Sequence, residues 1–295
     1  MAWYLDIMVD RREGGTEVMG GIYKWTGNFN WKTAVDNGVH DMYHTRTAHA
    51  SNARANAIVA EMYGEGPRGN PQNRGGSPFA RAINGFQIYP GNGHGLGANW
   101  IEDGVPVGVA RPNLDRPEMG KYWADYMPEF EKRLGHVRAW SLNCVHASVF
   151  PNMTILFNNS KIRAWMPKGP GKTEIWTWCM VDKLAPQEVK DGQRINMART
   201  FGPSGTFDQD DSDNWAQVTQ SGLGRVARRT HQILSQGQGH ELEGHPMFPG
   251  RYSPNTFSEI NLRGMYTRYA EIMAAEKISD VSIAPRTWDS GVPVK

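Results

Sequence analysis

Between Asp36 and His49 the chain packs three imidazoles, His40, His44 and His49, and two carboxylates, Asp36 and Asp41, into fourteen residues. Two neutral imidazoles and one carboxylate, with coordination positions left open, are the set used for an Fe(II) that must meet O₂. His44 and His49 lie five residues apart, which on a regular α-helix turns the second about 140° away from the first. A π-bulge adds one residue to a turn and brings positions i and i+5 onto one face. The spacing therefore predicts a helix interrupted between His44 and His49. Asp41 precedes His44 by three residues and shares its helical face, so it is better placed to orient that imidazole through its ring N–H than to ligate. A third ligand must come from a distant segment. The run Phe207-Asp208-Gln209-Asp210-Asp211-Ser212-Asp213-Asn214-Trp215 is the densest acidic candidate, although such a run taken alone is more often a solvated loop.

The elements that must hold these groups are legible in outline. From Trp31 to Met62 there are few breakers and, after Thr47, many helix formers, which predicts the interrupted helix. Gly and Pro crowd the stretch from Gly64 to Gly97, which reads as loops and turns. Arg116 to Gly135 reads as a second helix, broken at Pro128 and stopped at Gly135. From Ala147 to Val181, short β-rich runs alternate with Asn-Asn-Ser and Lys-Gly-Pro-Gly turns, the pattern of consecutive antiparallel strands. Arg194 to Phe201 and an amphipathic helix over Ser258 to Glu276 complete an α+β chain in which helices gather on an antiparallel sheet.

Composition narrows the class. With 295 residues, 39% apolar and 11% aromatic, the chain can bury a sizeable core, and one domain over 1–295 is the expectation. A net charge of +2 from 32 basic and 30 acidic residues gives no excess that would attract nucleic acid or a membrane surface. The opening residues carry Asp6 and Asp10 without a long apolar stretch, so neither secretory signal nor spanning helix is expected and the cytoplasm is the default. Cys144 and Cys179 are far apart and offer no thiolate zinc or iron–sulfur site. Lys168 to Thr173 ends like a phosphate loop, but Met166 stands where that loop needs Gly, so a hairpin is expected. His240 to His245 resembles a zinc-protease helix, but its histidines are five apart and Gly244 and Pro246 oppose a helix.

The pattern Asn37-x₃-Asp41-x-Tyr43-His44-x₄-His49, followed about 160 residues later by FGPSGTFDQDDSDNW, resembles the α-subunits of Rieske non-haem iron ring-hydroxylating dioxygenases, the naphthalene and biphenyl dioxygenase group. The resemblance extends to DIMVDRREGGTEVMGGIYKW, to HASVFPN and NNSKIRAWMPKGPG, and to FPGRYSPNTFSEINLRGMYTRYAEIM. It implies a helix-grip (Bet v 1-like) catalytic domain with a curved antiparallel sheet. It implies that His44, His49 and Asp211 ligate mononuclear Fe(II), that Asp41 bridges toward a neighbouring subunit's cluster, and that Asn37 has a positional role near the iron. The family's pocket-wall positions fall on Gly38, Met42, His146, Ser148, Leu156, Phe201 and Phe207. Gly38 stands where a large residue is common.

The same resemblance implies O₂ as co-substrate, an aromatic substrate converted to a cis-dihydrodiol, and electrons from NADH through a reductase, a ferredoxin and a Rieske [2Fe–2S] cluster. It further implies trimers, α₃ or α₃β₃, the latter with small β-subunits. The family's Cys-x-His and Cys-x-x-Cys-His cluster motif is not found in this sequence. The expectation is therefore a catalytic domain without its Rieske domain, unable to turn over with NADH unless one is supplied in trans. The competing expectation is a non-redox protein that binds an aromatic or apolar ligand on the same scaffold.

Overall fold

A computed structural model describes residues 1–9, 14–36, 44–51, 85–100 and 117–283. Among them, eight strands form one open, wholly antiparallel sheet in the order β1-β7-β6-β5-β4-β3-β2-β8. The strands are β1 (Thr16–Gly27), β2 (Gly85–Tyr89), β3 (Gly95–Trp100), β4 (Leu142–Val149), β5 (Met153–Leu156), β6 (Lys161–Pro167), β7 (Thr173–Asp182) and β8 (Arg251–Ser253). Seven α-helices accompany them: α1 (Ala2–Val9), α2 (Trp31–Val35), α3 (His44–Thr47), α4 (Pro117–Leu134), α5 (Gln187–Phe201), α6 (Thr206–Gly222) and α7 (Ile260–Ala274). The α+β helix-grip class expected above is the class observed. No described helix is long and apolar enough to cross a membrane.

The sheet is covered on both faces. On one, Tyr122, Trp123, Tyr126, Met127 and Phe130 of α4 and Tyr4, Ile7 and Met8 of α1 pack on Ile88, Leu96, Ala98, Leu142, Cys144, Ala147 and Ile155. On the other, Ala34 and Val35 of α2, Trp215 of α6 and Met265 of α7 pack on Trp165 and Ile175, with Phe29 between them. Alternation on β6 shows the division: Lys161, Arg163 and Trp165 are buried on this second face, while Ile162 packs into the first.

A bulge decides what β4 presents. Gly97 on β3 pairs with His146 but Ala98 pairs with Cys144, so Val145 is an extra residue. Before it, Leu142 and Cys144 enter the first core; after it, Ala147 does. His146 and Ser148 are thereby turned to the second face. Without the bulge, strict alternation would put His146 on the face of Cys144. Gly97 lies beneath the His146 ring, where a Cβ would come within 2.4 Å of its Nε2, so a side chain there would evict the imidazole.

Several local expectations are corrected. The helix over Pro117–Leu134 runs through Pro128; its aromatic face is held by the sheet strongly enough to tolerate one lost backbone bond. It stops at Gly135 as expected, with φ +82° and its N–H donating to Glu131 O at 2.7 Å. Within the stretch read as loops, residues 85–89 and 95–97 are β-structure: Phe86 and Ile88, then Leu96 and Ala98, alternate toward the core around a short turn. The acidic run is α6, not a solvated loop, and Asp208, Asp211 and Trp215 are its buried residues. Strand β1 had no signal of its own in the sequence reading. The Lys168–Thr173 segment is the β6–β7 hairpin, and Leu242 bridges Tyr252 where the zinc-protease-like motif falls. Of the helix expected over Trp31 to Met62, 37–43 and 52–62 lie outside the described residues.

The β2–β3 turn is tied to the β4–β5 turn by His94, whose Nδ1 accepts the Phe150 N–H at 3.0 Å. Burial, with the charge of Arg268 adding to it, lowers the His94 pKa from 6.5 to about 4. The folded state thus binds fewer protons here than the unfolded state. The contribution is complete above about pH 6.5 and is lost as pH falls toward 4. Thermal unfolding of wild type should therefore drop more between pH 7.5 and 4.5 than that of His94→Gln; equal drops would show that His94 is not the acid-labile tie.

Candidate metal centre

Two segments distant in sequence, one carrying His44 and His49 and the other Asp211, bring the three residues together, each offering a ligand atom within 4.8 Å of the other two. Helix α3 begins at His44 and ends at Thr47. The His49 N–H then donates to the carbonyl of His44 at 3.3 Å, a five-residue step of the π type. The interruption lies where the spacing placed it, and it brings both imidazoles to one side with ring centroids 5.0 Å apart.

Asp211 faces them from α6. Its Oδ1 is 3.2 Å from His49 Nε2 and 3.9 Å from His44 Nε2, with side-chain exposures of 5%, 9% and 10% for Asp211, His49 and His44. Despite this proximity, Asp211 Oδ1 and His49 Nδ1 are buried without a hydrogen-bond partner. A buried carboxylate oxygen left without a donor is costly, and a divalent cation among the three groups would satisfy it. The donor set is that of a non-haem iron site with open positions, so the residues present fit such an ion. His49 Nδ1 looks toward Asp210 Oδ2 at 3.8 Å, beyond hydrogen-bond range but positioned to favour a proton on that nitrogen and leave Nε2 as the ligand.

What places Asp211 is the way α6 lies along β6. Asp208, one turn before it, takes a bidentate bond from Arg163, with Nη1 to Oδ1 at 2.9 Å and Nη2 to Oδ2 at 2.6 Å. The same guanidinium donates to Phe201 O at 3.0 Å and to Thr177 Oγ1 at 2.9 Å. One turn after Asp211, Trp215 meets Trp165 at 5.1 Å and Phe29 at 5.0 Å, both edge to face. Arg163 and Trp165 are alternate residues of one strand; Asp208 and Trp215 bracket Asp211 on one helix. Helix α2 is tied to the same helix, because Asn30, which caps α2 by accepting the Lys32 N–H, also donates its backbone N–H to Thr219 Oγ1 at 3.0 Å.

Apolar walls adjoin the triad. Phe207 packs 4.5 Å from the His49 ring and 4.9 Å from Phe201. His146, Leu156 and Lys161 are successive cross-strand partners on β4, β5 and β6, and Ser148 follows His146 on the same face. Phe207 and Phe201 thus lie beside the triad, while His146, Ser148 and Leu156 share the sheet face that carries Lys161. Asn37, Gly38, Asp41 and Met42 lie outside the described residues.

Sequence reasoning missed Lys161 and Arg163, and it took Asp208 only as part of an acidic run. The available signal was alternation: Lys161, Arg163 and Trp165 occupy one face of a strand whose other face is apolar, and the spacing of Asp208, Asp211 and Trp215 fits one helical stripe. Lys161 is 2% exposed with its Nζ 3.5 Å from the Phe201 ring centroid. Burial, with Arg163 adding to it, holds its ammonium pKa well below the usual lysine value, against the pull of Asp208 and Asp211. The two thiols are buried, and burial pushes Cys179 up to about 12 and Cys144 higher still, so neither offers a ready thiolate.

The chain belongs to the family described as ring hydroxylating alpha subunit (catalytic domain), which matches residues 3–275. It is 32% identical over 280 residues to the benzene 1,2-dioxygenase subunit alpha of Pseudomonas putida, covering 92% of this chain and 58% of that protein. It is 34% identical over 281 residues to the biphenyl 2,3-dioxygenase subunit alpha of Rhodococcus jostii (strain RHA1), covering 92% and 56%. The chain thus spans less than two thirds of the curated relatives it matches. A structure of naphthalene 1,2-dioxygenase with indole bound in the active site superposes with a TM-score of 0.76 at 27% identity, over 95% of this chain and 59% of that one.

Asp208→Ala leaves the buried Arg163 charge without its partner and should destabilise the fold by about 3–5 kcal/mol. Asp213→Ala, on the exposed side of the same helix, should change stability by less than about 0.5 kcal/mol. Urea denaturation of both variants checks this, and similar midpoints would show that the clamp carries little.

Proposed function

We propose that this chain forms one catalytic unit of a ring-hydroxylating dioxygenase α-subunit, holding mononuclear Fe(II) on His44, His49 and Asp211 and directing O₂-dependent cis-dihydroxylation of an aromatic ring. The observation that carries the reading is the meeting of two imidazoles with an undonated, buried carboxylate oxygen inside a fold that belongs to this family. Iron held there supplies the oxygen chemistry that protein side chains lack.

The chain's own residues set the conditions for that chemistry. His44 and His49 present neutral ring nitrogens, and Asp211 cancels one unit of the ion's charge, leaving a site that three protein groups do not fill. Phe207 against His49, and Phe201 beyond it, give a flat apolar surface beside the ligands that can hold an aromatic ring and keep out water. His146 adds a polar group within that wall. Asp41 is proposed to orient His44 and to serve the electron path, with Asn37 and the walls Gly38 and Met42 completing the site.

A relative is named as the large oxygenase component of a naphthalene 1,2-dioxygenase system, which supports electron delivery through separate partners. We place a Rieske [2Fe–2S] domain, a ferredoxin and an NADH-dependent reductase in that role, and assembly as α₃ or α₃β₃ in the cytoplasm.

Anaerobic titration of the purified chain with Fe(II), read as metal stoichiometry and thermal shift, tests the ligand set. One iron per chain is expected in wild type, with tight binding lost in His44→Ala, His49→Ala and Asp211→Ala. Binding indifferent to these substitutions, or no tight iron at all, would sink the catalytic reading in favour of a non-redox apolar-ligand scaffold.

A further inference from the structure

The row His146, Leu156, Lys161 runs across three adjacent strands in direct register, and neighbours so paired stand about 5 Å apart on one face. Two of its members are walls of the proposed substrate pocket; the third carries a primary amine. Lys161 is 2% exposed, and its Nζ rests 3.5 Å from the centroid of Phe201, another wall. Among the described residues no carboxylate comes within ion-pair distance of that Nζ. Of the nearby carboxylates, Asp208 is held by both arms of Arg163 and Asp211 faces the two imidazoles. A ring face offsets only part of the cost of burying an ammonium. A wall intended only for hydrocarbons has no use for such a group, since an apolar side chain would fill the same place without the burial cost.

From this placement we infer that Lys161 is a specificity-determining residue that receives an anionic substituent, such as a carboxylate, carried by the aromatic substrate. The inference rests on the proposed function and refines its substrate class from aromatic hydrocarbons to arenes bearing a negative group. The ring lies on Phe201 and Phe207, and the substituent reaches across Leu156 to the ammonium. An anionic substituent arriving beside the amine favours its ammonium form and offsets the effect of burial, and the pair so formed in a dry site also fixes which edge of the ring faces His44, His49 and Asp211.

Calorimetric binding of 1-naphthoate and of naphthalene to the anaerobic, Fe(II)-loaded chain separates the possibilities, with iron content measured on the same samples. Wild type and Lys161→Arg should bind 1-naphthoate more tightly than naphthalene by roughly tenfold or more. Lys161→Met should reverse that order while leaving naphthalene within about threefold, because the substitution keeps the volume and removes the charge. A wild type that prefers naphthalene overturns the inference, and this arm does not depend on any variant folding. A 1-naphthoate preference that survives Lys161→Met also overturns it, since the carboxylate would then be bound at the metal. Either result with one iron per chain leaves the proposed function standing. Absence of iron, or of binding by both probes, removes both.

Discussion

The buried pair of Arg163 and Asp208 is the constraint on which the site depends. A guanidinium 2% exposed and a carboxylate 1% exposed are each expensive to desolvate. Their bidentate contact is tolerable only because the remaining Arg163 donors are taken up by Thr177 and the Phe201 carbonyl. The bond joins the first turn of α6 to the middle of β6 and the end of α5 to both. Asp211 sits on the next turn of α6. Its distance from the histidines is therefore set by a contact that contains no histidine and would contain no metal.

The aromatic cluster acts with this pair. Phe29, Trp165 and Trp215 meet edge to face, so α6 is held at Asp208 by charge and at Trp215 by packing. Two attachments of different physical kind resist different motions: the bidentate bond opposes rotation of the helix about its axis, and the packed rings oppose its lifting from the sheet. Helix α2 is tied to the same helix through Asn30 and Thr219.

The two faces of the sheet differ in composition. The face under α4 and α1 is lined by apolar and aromatic side chains. The opposite face places Lys161, Arg163, Thr177, His146 and Ser148 in the interior. Polar groups of this number are not needed to hold a sheet together, and each carries a burial cost. They share that face with the helix that carries Asp211.

The sequence by itself determined the antiparallel strands from β5 to β7, the C-terminal helix, the stop at Gly135 and the interruption between His44 and His49, because each follows from local periodicity, turn residues or spacing; the start of β4 at Leu142 lies before the strand-like run that opens at Ala147. Histidine and aspartate content nominated the ligands, although spacing alone did not separate a metal site from unrelated histidines or a helix from a solvated acidic loop. Only tertiary structure decided the rest. Asp208 and Asp211 become the buried stripe of a helix because Arg163 and Trp165 lie opposite them. His146 lies on the second face of the sheet because one extra residue at Val145 reverses the alternation of β4. Strands β1, β2 and β3 exist because neighbours supply hydrogen bonds to segments rich in glycine. Lys161 is buried beside Phe201 on the face set by its pairing with Leu156. Pairing, register and burial depend on residues far away along the chain, and no local pattern carries that information.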